Sequence, residues 1–207
     1  MSSGKRTTGD VAILLSGGID SVTLAYEANA QGRLRGAWFV DYGQGGVRQE
    51  GEIVSRIICE WGLVGHGVVI PIAGYTAMLH EPGAEGLRVV PGRNLAMLSV
   101  VATWASCYSI NELWYGATIG DREYPDCTME FVDGINALLR PLTGVTVRAP
   151  WLEMGFGKAD VVARGRKLAV PFARTWSCYT PLDTGKPCKT CSACRRRDEA
   201  LQTRGEG

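Results

Sequence analysis

A short glycine-rich stretch between two regular segments carries the clearest chemical signal in this chain of 207 residues. In order, its residues are Ser16, Gly17, Gly18, Ile19, Asp20 and Ser21. An apolar run, 11–15, precedes it, and a segment typical of a helix, 22–30, follows it. A strand that ends in a glycine turn and opens into a helix leaves backbone N–H groups unpaired at the positive end of the helix dipole. The stretch therefore predicts a binding site for an anion such as phosphate.

The type of phosphate site follows from what this stretch contains and lacks. Gly17 and Gly18 let the backbone approach an anion closely, and the hydroxyls of Ser16 and Ser21 add hydrogen-bond donors. The lysine of a G-x-x-x-x-G-K-[ST] loop is missing, and so is the spacing of a G-x-G-x-x-G fingerprint. The alternative is a plain glycine turn in which Ser or Asp caps a helix.

The segments that must position this loop alternate between strand and helix. Apolar runs predict strands at 11–15, 37–40, 66–70, 113–117 and 145–149, and helical patterns lie at about 22–30, 47–61, 95–107, 129–139 and 158–168. Such alternation predicts an α/β fold with a Rossmann-like, doubly wound parallel sheet. We divide the chain into a disordered lead-in, 1–9, a nucleotide-binding domain, 10–172, and a metal-binding C-terminal segment, 173–207.

Two further stretches are predicted to lie beside the glycine-rich loop. Asp41 and Tyr42 end the strand at 37–40, and ligands of open parallel sheets bind beyond the carboxyl ends of the strands. The adenine and ribose of a nucleotide would lie there. The Gly- and Pro-containing stretch 71–86 is long for a connection, which favours a lid or a binding loop.

A second candidate phosphate ligand is Arg93. It follows Pro91 and Gly92 at the start of an apolar helix, where we expect Asn94 to act as the N-terminal cap. From that position the guanidinium can hold a phosphate, although a solvated charge is the simpler alternative. The residues expected on one side of this helix are Leu95, Leu98, Ala102 and Ala105.

An acidic loop follows the strand predicted at 113–117. It contains Asp121, Glu123 and Asp126 together with Tyr124, at the place where a second substrate would meet the nucleotide. Asp126 could instead cap the helix that follows. Cys127, at the end of this loop, is expected to pack at the start of that helix.

Four cysteines near the C-terminus have the spacing of metal ligands. They are Cys178, Cys188, Cys191 and Cys194. Four thiolates satisfy a tetrahedral zinc ion and leave no open position, so a structural zinc site is expected, with a four-cysteine iron–sulfur cluster as its rival. Cys59 and Cys107 are expected to be core thiols, and the run 195–197 of three arginines is expected to be a solvated face.

Composition excludes several classes of protein. The formal net charge is +1, so no overall field favours a nucleic acid or a membrane surface. No apolar run is long enough to span a bilayer, and the first ten residues lack the apolar centre of a signal peptide. Seven cysteines, four of them crowded near the C-terminus, argue against a disulfide scaffold and for the reducing cytoplasm.

Taken together, the motifs resemble the 7-cyano-7-deazaguanine synthase (QueC) family, which lies within the PP-loop ATP pyrophosphatases. The resemblance covers about residues 11–198, in the order of the family's motifs. The matching motifs are Ser16–Ser21, Asp41–Gln44, Pro91–Asn94, Tyr124–Cys127, Lys158–Ala159, Ser177–Tyr179 and the closing cysteines Cys188, Cys191 and Cys194.

The resemblance implies an ATP-dependent ligase of queuosine or related 7-deazapurine biosynthesis. Its small-molecule substrates would be 7-carboxy-7-deazaguanine and ammonia, which it would convert to 7-cyano-7-deazaguanine through an acyl-adenylate and an amide. ATP would be split into AMP and pyrophosphate. The implied cofactors are ATP, Mg²⁺ and Zn²⁺. The implied assembly is a homodimer, with no membrane or nucleic-acid partner.

The resemblance also implies roles for individual residues. The loop Ser16–Ser21 would hold the β and γ phosphates, with Asp20 either a Mg²⁺ ligand or only a turn cap. Arg93 and Lys158 would neutralise developing charge, although Lys158 could simply face water. A carboxylate from Asp121, Glu123 or Asp126 would accept hydrogen bonds from the guanine-like edge, and Tyr124 would stack on the ring.

The chain departs from the family pattern at three places. After D-Y-G-Q the family has a basic residue and a histidine, whereas Gly45 and Gly46 stand here, so the contacts expected there are lost or supplied by Arg48. The family's aspartate before Y-P-D-C falls at the register of Gly120. The stretch 74–87 is short for the family.

Three other functions stay open at this point. A relative could adenylate the same carboxylate and transfer it to another amine. A PP-loop tRNA sulfurtransferase would need a persulfide-carrying cysteine or an open cluster near the loop, for which Cys127 is weak support. A non-catalytic nucleotide- or RNA-binding module would dock through the four-cysteine metal site, called here the metal knuckle, and through the three arginines at 195–197.

Overall fold

The described part of the computed structural model, 9–70 and 90–202, contains a five-stranded parallel sheet. The strands are β1 (Val11–Leu14), β2 (Leu34–Asp41), β3 (Gly67–Val69), β4 (Glu112–Trp114) and β5 (Thr146–Arg148). Their order across the sheet is β3-β2-β1-β4-β5. This order reverses beside β1, which confirms the predicted Rossmann-like, doubly wound sheet. Four of the strands are shorter than predicted, with β4 ending at Trp114 instead of 117, and β2 is longer.

Seven α-helices cover the two faces of the described sheet. They are α1 (Ile19–Ala30), α2 (Val47–Trp61), α3 (Arg93–Cys107), α4 (Met129–Thr143), α5 (Pro150–Glu153), α6 (Lys158–Lys167) and α7 (Ser192–Gln202). Helix α2 has the predicted bounds. Helix α4 continues beyond the predicted end at 139, until Gly144 adopts a φ of 73° and its N–H bonds to the carbonyl of Arg140.

Alternation along β1 divides the core into two halves. Val11 and Ile13 pack with α1 and α6 on one face, whereas Ala12 and Leu14 pack with α3 and α4 on the other. All four strand residues are buried. Because both faces are covered, the sheet forms a rigid floor, and ligands can reach it only at the ends of its strands.

The start of α3 differs from the prediction. Gly92 occupies the N-cap position, and Asn94 lies inside the first turn as a buried side chain. Its amide nitrogen donates to the carbonyl of Asp126, 3.2 Å away, and to Cys127 Sγ, 3.4 Å away. Asn94 therefore links α3 to the acidic loop and does not cap the helix. Leu95 is 41% exposed, whereas Leu98, Ala102 and Ala105, on the same side of the helix, are buried.

The two helical cysteines predicted to be core thiols are exposed. Cys59 follows the buried Val54 by five positions on α2, which turns it about 140° from the buried face. Cys107 ends α3 two positions after the buried Ala105, which turns it about 160° away. An apolar composition did not reveal which side of each helix faces the sheet.

The C-terminal segment is tied to the rest of the fold. The N–H of Trp176 donates to the carbonyl of Gly17, 2.9 Å away, and Ala200 of α7 is buried in the core with α1 and α6. Arg197 donates to Thr175 Oγ1, 2.7 Å away, so the predicted solvated face is wrong for this arginine. The division at 172 and 173 stays a prediction.

Two predicted segments fall mainly outside the described residues. They are the lead-in at 1–9, of which only Gly9 is described, and the lid or binding loop at 71–86.

Helices α1 and α6 are joined by an ion pair between Glu27 and Arg164. Glu27 is 6% exposed and accepts from Arg164 Nε at 2.6 Å and from Arg164 Nη2 at 3.0 Å. Gln31 donates to the same carboxylate. The hydrogen bonds from Arg164, with help from Gln31, lower the pKa of Glu27. This pair fixes the distance between the two helices that begin at the glycine-rich loop and at Lys158.

Glu27→Gln is expected to lower the free energy of unfolding by about 1–2 kcal/mol at neutral pH, because it weakens a mostly buried charged hydrogen bond. Since folding lowers the pKa of Glu27, its contribution is present above the unfolded pKa, about 4.5. It is lost as pH falls through the folded value. Denaturant unfolding across pH 3–7 should therefore show the two proteins converging on the acid side.

Glu52→Gln is the matched control, because Glu52 pairs with Arg48 on an exposed surface. It should change the free energy of unfolding by less than about 0.5 kcal/mol. An equal loss for Glu27→Gln at every pH would contradict the electrostatic account.

Candidate active site

A pocket of about 470 Å³ opens beyond the carboxyl ends of β1, β2 and β4. Four parts of the chain form its wall: the glycine-rich loop, the turn after β2, the start of α3 with the acidic loop, and the C-terminal segment. This is where an open parallel sheet presents its ligand site. Its volume suits a nucleotide-sized ligand.

The glycine-rich loop folds as expected of an anion site. Gly17 has a φ of 75°, and a Cβ there would lie 3.3 Å from the carbonyl oxygen of Glu50, so glycine is required. Ser16 Oγ and Ser21 Oγ are 3.0 Å apart, which closes the loop. Among the described residues no side chain caps α1, so its first N–H groups point at the pocket for a ligand.

Not every residue of this loop meets the pocket. Ser16, Gly18, Asp20 and Ser21 line it, whereas the side chain of Ile19 is buried in the core. The opposite side of the loop rests on Gly116, where a Cβ would lie 3.1 Å from the Ser21 nitrogen. Sequence reasoning missed Gly116 because the contact joins two distant segments.

Asp20 and Lys158 form an ion pair between the starts of α1 and α6. Asp20 lines the pocket. Lys158 donates to Asp20 Oδ2 and is not itself among the described lining residues. Asp20 Oδ1 is buried and has no hydrogen-bond partner among the described residues. Burial raises the pKa of Asp20, and Lys158 opposes that shift. An unpaired carboxylate oxygen beside the anion loop fits a hard cation such as Mg²⁺.

In the turn after β2, Tyr42 lines the pocket, whereas Asp41 is not among the described lining residues. Asp41 Oδ1 accepts from the N–H of Gly43, 2.9 Å away, and shapes the turn. Gln44 donates to Glu50 Oε2, 2.9 Å away, and both of these side chains line the pocket. Glu50 was not predicted, because it lies in the first turn of α2, where an acidic residue usually serves the helix alone.

Arg93 lies over the ring of Tyr42, with its guanidinium carbon 5.8 Å from the ring centroid. Its Nη1 is 3.5 Å from the Tyr42 hydroxyl. Its Nε is buried and has no partner among the described residues. A half-buried arginine with an unused N–H donor at the wall of a pocket is placed to bind an anion there.

The acidic loop contributes Asp121, Tyr124 and Asp126 to the pocket, whereas Glu123 is exposed and outside it. Asp121 Oδ2 accepts from the Thr118 N–H at 3.0 Å and from its hydroxyl at 2.8 Å. One oxygen of Asp121 is thus committed to the fold, and its other oxygen is available to a ligand. In the same loop, burial and the adjacent Glu123 raise the pKa of Tyr124.

Asp126 also has a partner that the sequence did not reveal. Its Oδ2 accepts from the backbone N–H of Asn94, 3.0 Å away, in the first turn of α3. The alternative that Asp126 caps the following helix is wrong, because Thr128 caps α4 by accepting from Phe131 at 3.2 Å. Asp126 therefore joins the acidic loop to the helix that carries Arg93.

Cys127 is buried, as predicted, beneath the pocket. Burial, together with Asp126, raises the pKa of its thiol to about 12. The thiol is therefore neutral at physiological pH and a poor nucleophile. Tyr115, which was not predicted, also lines the pocket, and its hydroxyl donates to the carbonyl of Asp126 at 3.4 Å.

Three residues of the C-terminal segment complete the wall, and none was predicted. They are Tyr179, Ser192 and Arg196. Arg48, expected to supply a basic contact, is instead exposed and paired with Glu52, 3.0 Å away. Of the two alternatives, that the contacts are lost or that Arg48 supplies them, the second is therefore wrong, because Arg48 projects from the outer side of α2. Gly45 meets the C-terminal segment directly, since a Cβ there would lie 2.4 Å from the carbonyl oxygen of Tyr179.

The four predicted metal ligands come together. The sulfur atoms of Cys178, Cys188, Cys191 and Cys194 all lie within 4.8 Å of one another. Tetrahedral bonds of about 2.3 Å to one zinc ion would set the sulfurs about 3.8 Å apart, so the cluster fits a single ion.

Hydrogen bonds prepare this cluster to bind a metal. The N–H of Cys188 donates to Cys178 Sγ at 3.2 Å, and the N–H of Cys191 donates to Cys188 Sγ at 3.3 Å. The Thr180 hydroxyl and the N–H of Cys191 lower the pKa of Cys188 to about 5, whereas burial raises that of Cys194 to about 12. Cys188 is therefore a thiolate before a metal arrives.

The sheet order, the glycine-rich loop at the first strand and the pocket beside it define an α/β protein of the PP-loop ATP pyrophosphatase class. The U34-tRNA thiolase NcsA of Methanococcus maripaludis, solved with its [4Fe-4S] cluster, shares the fold at a TM-score of 0.54 and 16% identity, over 96% of this chain and 67% of that chain. NMN synthetase of Francisella tularensis shares it at a TM-score of 0.52 and 15% identity, over 96% and 80%.

The chain belongs to the QueC family. A sequence model described as "Queuosine biosynthesis protein QueC" matches residues 10–205. The 7-cyano-7-deazaguanine synthase of Chlorobium phaeobacteroides is 32% identical over 93% of this chain and 92% of the relative. That of Pseudomonas syringae pv. tomato is 34% identical over the same shares. No helix among the described residues is both long and apolar enough to cross a membrane.

Proposed function

We propose that this protein is an ATP-dependent carbon–nitrogen ligase that converts 7-carboxy-7-deazaguanine and ammonia to 7-cyano-7-deazaguanine. The single observation that carries the proposal is one pocket that joins the loop Ser16–Ser21 to the acidic loop through Arg93. A nucleotide and an acid with a guanine-like edge can meet there. Membership of the QueC family supports the same assignment.

The chemistry requires the acid to be activated, because a carboxylate is a poor electrophile. A carboxylate oxygen attacks the α-phosphorus of ATP, the α–β phosphoanhydride bond breaks, and pyrophosphate leaves. Ammonia then attacks the acyl carbon, loses a proton and displaces AMP to give the amide. The amide oxygen attacks the α-phosphorus of a second ATP, and pyrophosphate leaves again. Loss of AMP and of the N–H protons leaves the nitrile, so two ATP are used for each product.

The glycine-rich loop Ser16–Ser21 and Arg93 would supply most of the positive electrostatic field for these steps. The N–H groups at the start of α1, with the hydroxyls of Ser16 and Ser21, would hold the β and γ phosphates. The Arg93 guanidinium, held over Tyr42, would donate to the charge that develops around the α-phosphorus. Lys158 would act through Asp20, by holding that carboxylate ionised and oriented.

Two metal ions fit the residues present. Mg²⁺ would be held by Asp20 Oδ1, the buried oxygen without a partner, and would screen the phosphate charge when bound. Zn²⁺ would be held by the four cysteines as a closed structural site. We favour zinc over an iron–sulfur cluster because four thiolates on one ion lie closer together than thiolates that each bind a different iron.

The acidic loop is the proposed reader of the base. Asp121 commits one oxygen to the fold, and Asp126 accepts from the Asn94 N–H at Oδ2 and from the weak Cys127 thiol donor at Oδ1. The second oxygen of Asp121 and Oδ1 of Asp126 would accept from the N–H groups of a guanine-like edge. The ring of Tyr124 would stack on the base.

We further propose that the enzyme acts in the cytoplasm and that it forms a homodimer. Light scattering of the purified protein would check the homodimer.

Mass spectrometry of a reaction with purified protein, Mg²⁺, ATP, ammonium and 7-carboxy-7-deazaguanine tests the proposal. Nitrile accompanied by two AMP for each product would support it. AMP with an adenylated acid or amide, but without nitrile, would point to another acceptor amine. Absence of AMP would overturn the enzyme assignment in favour of a binding module. Metal analysis and the visible spectrum of the same sample distinguish zinc from an iron–sulfur cluster.

A further inference from the structure

We propose that Arg196, on the helix that follows the metal knuckle, binds an anionic group of the ligands in the pocket. The C-terminal segment is then part of the ligand site as well as a structural cap. This inference rests on the proposed function, since it takes ATP and the carboxylate of the acid as the pocket's ligands. Their shared chemistry is an oxyanion, which a guanidinium can bind with two parallel hydrogen bonds.

The position of Arg196 is set by the helix that carries it. Ser192 and Arg196 are four residues apart on α7, so they share one face, and both line the pocket. Cys194, two positions before Arg196 and so about 160° around the helix from it, joins the metal cluster, and Ala200, one turn after Arg196, enters the core. The metal cluster and the core therefore fix the rotation of α7, and that rotation directs Arg196 to the pocket.

Charge at the described pocket wall makes Arg196 significant. Only Arg93 and Arg196 are cationic among the described lining residues, against the four carboxylates Asp20, Glu50, Asp121 and Asp126. A nucleoside triphosphate and an acid together bring several negative charges into this wall. Arg93 is proposed to meet the charge at the α-phosphorus, and Lys158 is paired with Asp20. Arg196 is the remaining cation through which the described wall can meet that charge.

The guanidinium of Arg196 is placed to turn toward a ligand. Its side chain is exposed at the pocket mouth, and its Nη2 lies 3.4 Å from the Tyr179 hydroxyl, a long distance for a hydrogen bond. Arg196 also lies close enough to Tyr124 to oppose the rise in that residue's pKa. It thus stands between the C-terminal segment and the loop proposed to read the base.

The neighbouring arginines have different partners and provide the contrast. Arg195 donates to the carbonyl of Thr190, inside the metal knuckle, and Arg197 donates to Thr175 Oγ1. Neither lines the described pocket. Gly45 and Gly46 explain how the segment reaches this far, because side chains there would meet Tyr179 and Trp176 at 2.4 and 2.7 Å.

The test compares Arg196→Ala and Arg196→Lys with the control Arg195→Ala in the metal-loaded protein. Calorimetry measures the affinity for ATP with Mg²⁺, for AMP, for 7-carboxy-7-deazaguanine, and for its uncharged carboxamide. We expect Arg196→Ala to weaken the binding of ATP, of the acid, or of both by about tenfold or more. Arg196→Lys should recover part of the loss. Arg195→Ala should bind as the wild type does, and metal content and Tm report folding.

The ligand series assigns the anion and allows refutation. Weakening confined to ATP places Arg196 on the phosphates, and weakening confined to the acid places it on the carboxylate. Either result supports the proposal. Equal affinity of wild type and Arg196→Ala for every ligand would overturn it, as would an equal loss for the uncharged carboxamide. A wild-type protein that binds neither ATP nor the acid would instead overturn the proposed function itself.

Discussion

Arg93→Ala is expected to lower kcat/KM for nitrile formation by about 10²- to 10³-fold. The guanidinium lies over Tyr42 at the wall of the pocket, and its buried Nε has no partner among the described residues, so the side chain is positioned before a ligand binds. Most of the loss should fall on kcat, because the glycine-rich loop would still bind the phosphates of the ground state. Steady-state kinetics, with AMP and nitrile measured together, would check this.

Two further variants limit the interpretation of that result. Arg93→Lys should recover only part of the activity, because an ammonium lacks the planar fork of the guanidinium. Arg48→Ala is the matched control, since Arg48 is exposed and paired with Glu52 on the outer side of α2. If Arg93→Ala retained kcat/KM within about threefold of the wild type, Arg93 would have no catalytic role.

Cys194→Ser is expected to abolish stoichiometric metal binding and to lower the free energy of unfolding by about 3 kcal/mol or more. For a domain of this size that corresponds to a fall in Tm of about 6–12 °C. Cys194 is 4% exposed and holds α7 to the knuckle. Because Tyr179 and Arg196 reach the pocket from the same segment, ATP affinity should fall together with metal content.

Cys107→Ser is the control for this prediction, because Cys107 is an exposed thiol outside the cluster. It should keep the metal, the Tm and the affinity for ATP. Full metal content and an unchanged Tm in Cys194→Ser would show that the four cysteines do not hold a structural ion. Loss of metal with undiminished ATP affinity would show that the knuckle does not support the pocket.

Local signals in the sequence predicted the parts of the site that local structure forms. The glycine-rich loop follows from one strand, two glycines and one helix start, all within twelve residues. Helix α2 matched its predicted bounds because glycines stand at both of its ends, Gly46 at the N-cap and Gly62 in the left-handed region at the C-cap. The metal ligands followed from cysteine spacing alone, since tight turns bring them together.

Long-range contacts account for what the sequence did not reveal. Asn94 has the right type and place for a cap, but its buried amide is used by residues 126 and 127. Arg48 and Arg196 are equally basic, and only the rotation of their helices decides that one faces water and the other the pocket. Gly116 supports Ser21 through a contact between distant segments. No spacing along the chain reports such contacts.

The hydrogen bond from Trp176 to Gly17 has a consequence for how this protein is made. The five strands of the described sheet precede Trp176 in the chain, so a nascent chain can pair them while the last wall of the pocket is still inside the ribosome. At about 5–20 residues per second, that wall arrives seconds after β5. The glycine-rich loop and Arg93 emerge before that wall, so the complete pocket, which includes Tyr179 and Arg196, forms only after the C-terminal segment has emerged.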